Sequence, residues 1–362
     1  MSSQTANVPQ KEFRKRDLLY LVPLWLLSLI APDPYLYHKK KFKKKDLFYL
    51  GAICLAPLIW SDPHFHHIMV LAGIYAILAL GLGLFMGYAG QISLGHTAFF
   101  GIGAYTTAIL TTRCGFPTFL SFWASAFSAA LFAYLIGRPI LKLKGYFLAL
   151  ATLGFGEIFL VIVRESTDLT GGIIGIFGIP WFSVMGFSFD TYLKQYYLAW
   201  GVLIGLFLFS KNLVRSKTGR ALLAVAASED AASSVGIDVP KTKLDIFVLG
   251  AAFAGLAGSL FACVMSTANP EAFSLGVTTL IVMMVILGGM GTIYGPIAGA
   301  ILLTWLMDVL SQYQEYSLPI YSVILILLLI FFPEGIGTRL NVRVIYLIGY
   351  WAKKKRRDEG KL

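Results

Sequence analysis

Three short stretches of this chain hold residues that can do chemistry. The first is Ala151-Thr152-Leu153-Gly154-Phe155-Gly156-Glu157, inside an apolar run. A carboxylate at membrane depth costs about 2.5–3.5 kcal/mol, so Glu157 is expected to face the interior of a helix bundle. It would serve there either as a path or gating group or in a structural ion pair or hydrogen bond between helices. The second is Gly87-Tyr88-Ala89-Gly90-Gln91-Ile92-Ser93-Leu94-Gly95-His96. Glycines this dense permit non-helical backbone or close helix contact, and Gln91, Ser93 and His96 add polar groups. Irregular backbone at membrane depth has to be buried in protein or line a water-filled cavity. The segment is therefore either a re-entrant element beside a path or a tight turn between packed helices. Gly90, Gln91, Ser93, His96, Thr152, Gly154 and Glu157 are the candidate path residues. The third stretch runs from Gly219 to Gly236 and reads as two short helices with a polar break. Ser228 is a candidate N-cap, and Glu229 and Asp230 suit a helix N-terminus. Gly236 is a candidate C-cap. A short helix between basic flanks is either a handle for another protein or a solvated loop helix.

Other chemistries lack their residues. There is no G-x-x-x-x-G-K-[ST] phosphate loop, no H-E-x-x-H zinc helix and no G-x-S-x-G nucleophile elbow. Nothing in the sequence looks able to hydrolyse a nucleotide. The 3 cysteines make no framework or paired-ligand spacing, and free thiols are expected. His64, His66 and His67 read as interfacial loop histidines, with a metal site as the rival. No metal and no cofactor is expected.

These stretches must be held by membrane helices. Of 362 residues, 57% are hydrophobic and 14% charged. A soluble domain carries about 25% charged residues, so a disordered chain and a soluble enzyme are both excluded. About ten spans are expected, each needing about 20 apolar residues. They lie at 47–62, 67–88, 92–112, 118–138, 145–164, 193–211, 243–263, 275–290, 295–313 and 318–333. The third and ninth are glycine-rich and open to being broken. The apolar run 18–31 contains Pro23 and follows Lys11, Arg14, Lys15 and Arg16. It imitates a secretory signal without a cleavage site, and is expected to lie in the interface or form a shallow hairpin, with a true spanning helix as the rival. With the C-terminus inside, the outer side receives only Arg113, Arg164 and Lys194 of the 30 Lys and Arg. The net charge of +11 is then an orientation signal, with attraction to anionic lipid second, and not a nucleic-acid footprint. The longest outer connection, 164–192, holds Thr170-Gly171-Gly172-Ile173-Ile174-Gly175-Ile176-Phe177-Gly178-Ile179-Pro180. This apolar, flexible composition suits a gate or docking surface, or a loop packed on the helix ends.

The residues also resemble a family. Glu229-Asp230-Ala231-Ala232 with Gly236 is similar to the E-A-A…G coupling loop of ABC importer permeases, with Asp in place of the first Ala. The resemblance is to the branched-chain amino acid (leucine/isoleucine/valine) permease family, and to its M-type subunit in particular. It extends over Gly87 to His96, Leu141-Lys142-Leu143-Lys144-Gly145 and Thr152 to Ile158. Leu169-Thr170-Gly171-Gly172, Leu287-Gly288-Gly289-Met290-Gly291 and Pro333-Glu334-Gly335 follow in order, so about 47–340 is covered. The resemblance implies an all-α integral membrane fold, an importer bundle with two related halves. Gly87, Gly90 and Gly95 against Gly288, Gly291 and Gly295 give that repeat a faint echo. It implies a second homologous permease subunit, two ATP-binding subunits, an external substrate-binding protein and a bacterial cytoplasmic (inner) membrane. It implies coupling to the ATPase through Glu229, Asp230, Ala231, Ala232 and Gly236. The expected organisation is a basic extension at 1–46, a permease domain at 47–340 with a cytoplasmic coupling loop at 212–242, and a basic cytoplasmic tail at 341–362. The basic extension is a departure from the family pattern. An aliphatic amino acid needs an apolar path with polar groups for its ends, which 87–100 and 150–158 offer. Alternatives are the same architecture importing urea or short amides, and an ion-coupled carrier or channel with Glu157 as proton relay. A membrane-embedded enzyme or scaffold has the least support.

Overall fold

Capping side chains start four of the α-helices described, and glycines let the helices close on one another. The computed structural model describes residues 62–311 together with Val323, Ile326, Leu327 and Ile330. The Asp62 side chain accepts from the His64 amide at 3.0 Å, and Pro63 opens helix α1, Pro63–Gly83. A proline at the first helical position lacks only an amide that would be unpaired anyway. The helix then widens into a π-helical turn, Leu84–Tyr88. There follow α2 (His96–Thr112), α3 (Thr118–Ile140), α4 (Tyr146–Glu165) and α5 (Tyr192–Arg215). Two short helices, α6 (Lys217–Ala227) and α7 (Glu229–Ser234), precede α8 (Val239–Met265). The last are α9 (Leu275–Gly288) and α10 (Tyr294–Ser311).

Among the described residues, 7 helices are long and apolar enough to cross a membrane. Helix α9 is among them only with the 3-10 turn Pro270–Phe273 that precedes it, and helix α2, at 17 residues, falls just short. The expected spans from 67–88 to 295–313 each correspond to a helix, in order, with ends shifted by a few residues. Helices α2 and α10 are unbroken; the irregular backbone lies just before each, at 90–95 and 289–293, and so takes in the start of the expected span 92–112. The expected spans 47–62 and 318–333, the run 18–31 and the tail 341–362 lie outside the described residues, save Asp62 and the four isolated positions.

Helices α1 and α8 form the buried centre. A Cβ at Gly103 of α2 would lie 2.3 Å from the Gly255 carbonyl oxygen, and one at Gly258 would lie 2.0 Å from that of Phe100. The backbones of α2 and α8 touch there, the close approach that small residues allow in lipid. Hydroxyls then join helices where apolar burial alone gives no direction. Ser125 donates to the Gly255 carbonyl at 3.1 Å, Thr107 donates to Ser259 at 2.7 Å, and Thr97 bonds Thr278. Helices α3 and α4 bury one stripe each and leave Leu120, Trp123, Phe127, Phe147, Leu150 and Ile158 exposed. An apolar surface of that extent suits hydrocarbon or protein cover and not water.

The helices run alternately between two ends. One end holds Arg138, Lys142, Lys144, Arg215, Lys217, Arg220, Lys241 and Lys243, and is called here the basic end. At the opposite end Arg164 bonds Glu271 at 3.1 Å, Lys194 bonds Asp190 at 2.6 Å and Arg113 bonds the Asp168 carbonyl. The connection between α4 and α5 is ordered there. Strand β1 (Ile176–Phe177) pairs antiparallel with β4 (Thr267–Ala268) after α8. Gly175, at φ +85°, permits this: a Cβ would sit 2.2 Å from the Ala268 carbonyl oxygen. Strands β2 (Ser183–Val184) and β3 (Phe187–Ser188) form a hairpin through Met185 and Gly186, both at positive φ. Ile173 and Ile174 project from this clip, exposed. The nearby histidines join helices: His64 meets Asp308 at 3.3 Å, and the His67 ring stands edge-on to Tyr192.

Candidate functional site

Of the polar residues singled out in the sequence, all but Glu157 converge toward the basic end. Helix α7 begins where Ser228 accepts from the Ala231 amide at 3.3 Å. It ends before Gly236, which takes φ +84°, a conformation that favours glycine after a helix. Ala232 is buried against Val225 and Val239, which seats the helix on α6 and the start of α8. Asp230, Ala231, Ser233, Ser234 and Val235 face outward. Asp230 is 3.6 Å from Lys144 across exposed surface, and such a pair contributes little.

Glu229 behaves differently from its neighbour. It is half-buried, and its Oε1 accepts from Gln91 Nε2 at 3.1 Å. The same oxygen receives Lys243 Nζ, and the Lys243 side chain is only 2% exposed. Gln91 also donates to the Ala89 carbonyl at 3.2 Å. Gly90, at φ +66°, lies against Ala226 of α6. The expected contact helix and the glycine-rich segment are thus one assembly. Lys243 was not a predicted site residue. Its signal is helical spacing: Val239, Lys243 and Phe247 recur every fourth residue on the buried stripe of α8. A lysine on such a stripe needs a partner carboxylate.

The other end of the segment is held by α4. The Leu94 amide donates to Thr152 Oγ1 at 3.0 Å, and a Cβ at Gly95 would sit 2.0 Å from the Thr152 carbonyl oxygen. Ser93 and His96 are buried between these anchors. Ser93 Oγ has no partner at hydrogen-bond geometry, and the His96 ring lies against the backbone at Gly250 of α8. So Gly90, Gln91, Ser93, His96 and Thr152 lie together, with Glu229 added. Gly154 and Glu157 do not join them. A Cβ at Gly154 would meet nothing within 4 Å. Glu157 lies on the exposed face of α4 beside Ile158, Val161 and Ile162. The expectation that it faces the interior of this bundle is therefore corrected: α4 buries Leu148, Thr152, Leu160 and Val163, and position 157 falls outside that stripe.

The apolar helices make this a multi-pass α-helical membrane protein with a capped helix on its basic end. The chain belongs to the family described as the permease component of branched-chain amino acid transport systems, which matches residues 65–333. It is similar to the high-affinity branched-chain amino acid transport system permease protein LivM of Escherichia coli K12, at 36% identity over 74% of this chain and 69% of the relative. It is equally similar to LivM of Salmonella typhimurium, at 36% identity over 73% and 67%. LivH of Escherichia coli K12, a permease protein of the same transport system by its name, is 26% identical over 76% and 95%. No solved structure matches. The resemblance drawn from the motifs is the family relation found here.

Proposed function

We propose that this chain is the M-type permease subunit of an ATP-driven importer for branched-chain or related amino acids, in a bacterial cytoplasmic membrane. One observation carries the reading beyond family membership: α7 presents Asp230, Ser233, Ser234 and Val235 outward while its root is bonded to the glycine-rich segment. An exposed helix with a fixed root is what a motor subunit needs to push against. On this reading the basic end lies in the cytoplasm, as the excess of Lys and Arg demands, and the C-terminus with it. The segment 212–242 is the coupling loop, and Asp230, Ala231 and Gly236 belong to its contact surface. Two ATP-binding subunits dock there, and a substrate-binding protein docks at the opposite end, near the exposed Ile173 and Ile174.

The bundle is completed to about ten spans by residues outside 62–311, within a permease domain at 47–340. Two related halves are supported by one contact: a Cβ at Gly87 would lie 2.6 Å from the Gly291 amide nitrogen, so the two glycine segments meet. The substrate path runs beside Gly90, Gln91, Ser93, His96 and Thr152, and along α4. Gly154 and Glu157 mark the face of α4 that a second, homologous permease subunit covers. Left in lipid, that carboxylate would cost about 2.5–3.5 kcal/mol. ATP binding would draw the coupling helices together and rock the spans about the path.

The test is co-purification of the tagged chain from its native membrane, followed by uptake in proteoliposomes. Recovery of an ATPase and a second permease, with ATP-dependent leucine uptake, is expected. Deleting 226–238 is expected to abolish uptake and leave insertion intact. Uptake by this chain alone under a pH gradient would replace the reading with an ion-coupled carrier. Competition by urea or short amides, and not by leucine, would change the substrate.

A further inference from the structure

Two adjacent acids at the start of α7 have opposite surroundings. Asp230 is nearly fully solvent-exposed, with its carboxylate 3.6 Å from the exposed Lys144. Glu229 points inward, and a single oxygen of its carboxylate takes the Lys243 ammonium and the Gln91 amide. These two donors come from different parts of the fold. Lys243 lies in the second turn of α8, the buried central helix. Gln91 lies in the non-helical segment 90–95. Lys243 is buried, and Glu229 is its ion-pair partner at hydrogen-bond distance. A buried ammonium cannot let go of its counter-charge without heavy cost, so the pair holds its length when either side is displaced.

The contacts continue beyond the pair. Gly90 rests on Ala226, one helix turn before α7. Leu94 hangs from Thr152, and Gly95 lies against the Thr152 carbonyl. A displacement of α7 therefore has two routes into α4 through one short segment, by Glu229–Gln91 and by Ala226–Gly90. We infer that Glu229 and Lys243 form a strut inside the permease that transmits movement of α7 to segment 90–95, and that Glu229 is not a surface contact for the ATPase. The inference rests on the reading of α7 as the coupling helix. It assigns Lys243 as a positioning residue, which acts on the path only through Glu229 and Gln91.

The experiment uses the complete complex in proteoliposomes and reads two quantities, ATP hydrolysis and leucine uptake. For Glu229→Gln and Lys243→Met the ATPase still co-purifies and hydrolysis persists. The ratio of uptake to hydrolysis falls about tenfold, since a buried pair has been broken on the coupling route. The exchanged double variant, Glu229→Lys with Lys243→Glu, recovers most of that ratio. Gln91→Ala removes the hydrogen bonds to Glu229 and to the Ala89 carbonyl but no charge, so it keeps the fold available if the single charge variants do not insert; it lowers the ratio too. Asp230→Asn behaves in the opposite sense, weakening ATPase recovery more than it changes the ratio. The inference is overturned if Lys243→Met and Gln91→Ala keep the normal ratio. It is also overturned if Glu229→Gln loses the ATPase as the loop deletion does while Lys243→Met keeps it. Failure of the wild-type chain to recover any ATPase would instead overturn the coupling-helix reading, and the strut with it.

Discussion

At the scale of single residues, space and conformation separate glycines that the sequence presents as equals. Gly95 and Gly154 both lie in motifs chosen as candidate path segments, yet their surroundings are opposite. A methyl at Gly95 would sit 2.0 Å from a backbone oxygen of α4, which cannot step aside without moving the helix. Gly95→Ala is expected to lower stability by about 1–3 kcal/mol, the usual range for overpacking. A depressed melting temperature of the detergent-purified chain, with α2 displaced from α4, is the readout. An unchanged melting temperature would mean that the segment is not wedged as described. Ser228 gives a second, gentler test. Its hydroxyl is the acceptor for the Ala231 amide at the head of a six-residue helix. Ser228→Ala should cost about 1 kcal/mol locally, roughly a fivefold rise in opening of α7. Faster amide exchange confined to 229–234 is the expected result, and uniform exchange across the chain would contradict it.

At the scale of elements, what the sequence made legible follows from which forces are local. Apolar runs of about 20 residues mark spans because lipid demands internally satisfied backbone. The helices from α1 to α5 and from α8 to α10 accordingly stand where the runs stand. Caps are local too, so Ser228 and Gly236 bound α7 as their residue types foretold. Lateral direction is not local. The outward face of Glu157 depends on which stripe of α4 meets α2, and the burial of Lys243 depends on where α7 folds back. The clip at the opposite end was hidden for the same reason. Its glycines read as flexibility, but they are what a β1–β4 pairing requires between segments about ninety residues apart. Gly175→Ala tests that pairing, because φ +85° is costly for any side chain and the added methyl would meet Ala268. The left-handed conformation alone carries about 1–2 kcal/mol. Protease cleavage within 171–178 should rise in this variant while the helices stay protected; unchanged resistance would show that the clip does not hold the loop.

At the scale of the whole molecule, the unresolved physical tension is the outer face of α4. It carries a carboxylate at position 157 and an unoccupied glycine at 154 among exposed Ile158, Val161 and Ile162. Each is unfavourable in lipid alone: the carboxylate for lack of solvation, and the glycine because it costs about 1 kcal/mol relative to alanine with no close contact to repay it. Both make sense if another backbone approaches there and water reaches Glu157. That arrangement separates the isolated chain from the complex. Gly154→Ala should leave the isolated chain as stable or more stable by up to about 1 kcal/mol, since the methyl meets nothing. On the proposed reading the same methyl would stand where the second permease packs, and in the complex it should impair uptake. Cysteines at Ile158 or Val161 should cross-link to that second subunit in native membranes, and a cysteine at the buried Thr152 should not. If the cysteines at 158 and 161 react only with lipid-phase reagents, and Gly154→Ala transports normally, α4 faces lipid and Glu157 must be satisfied within its own chain.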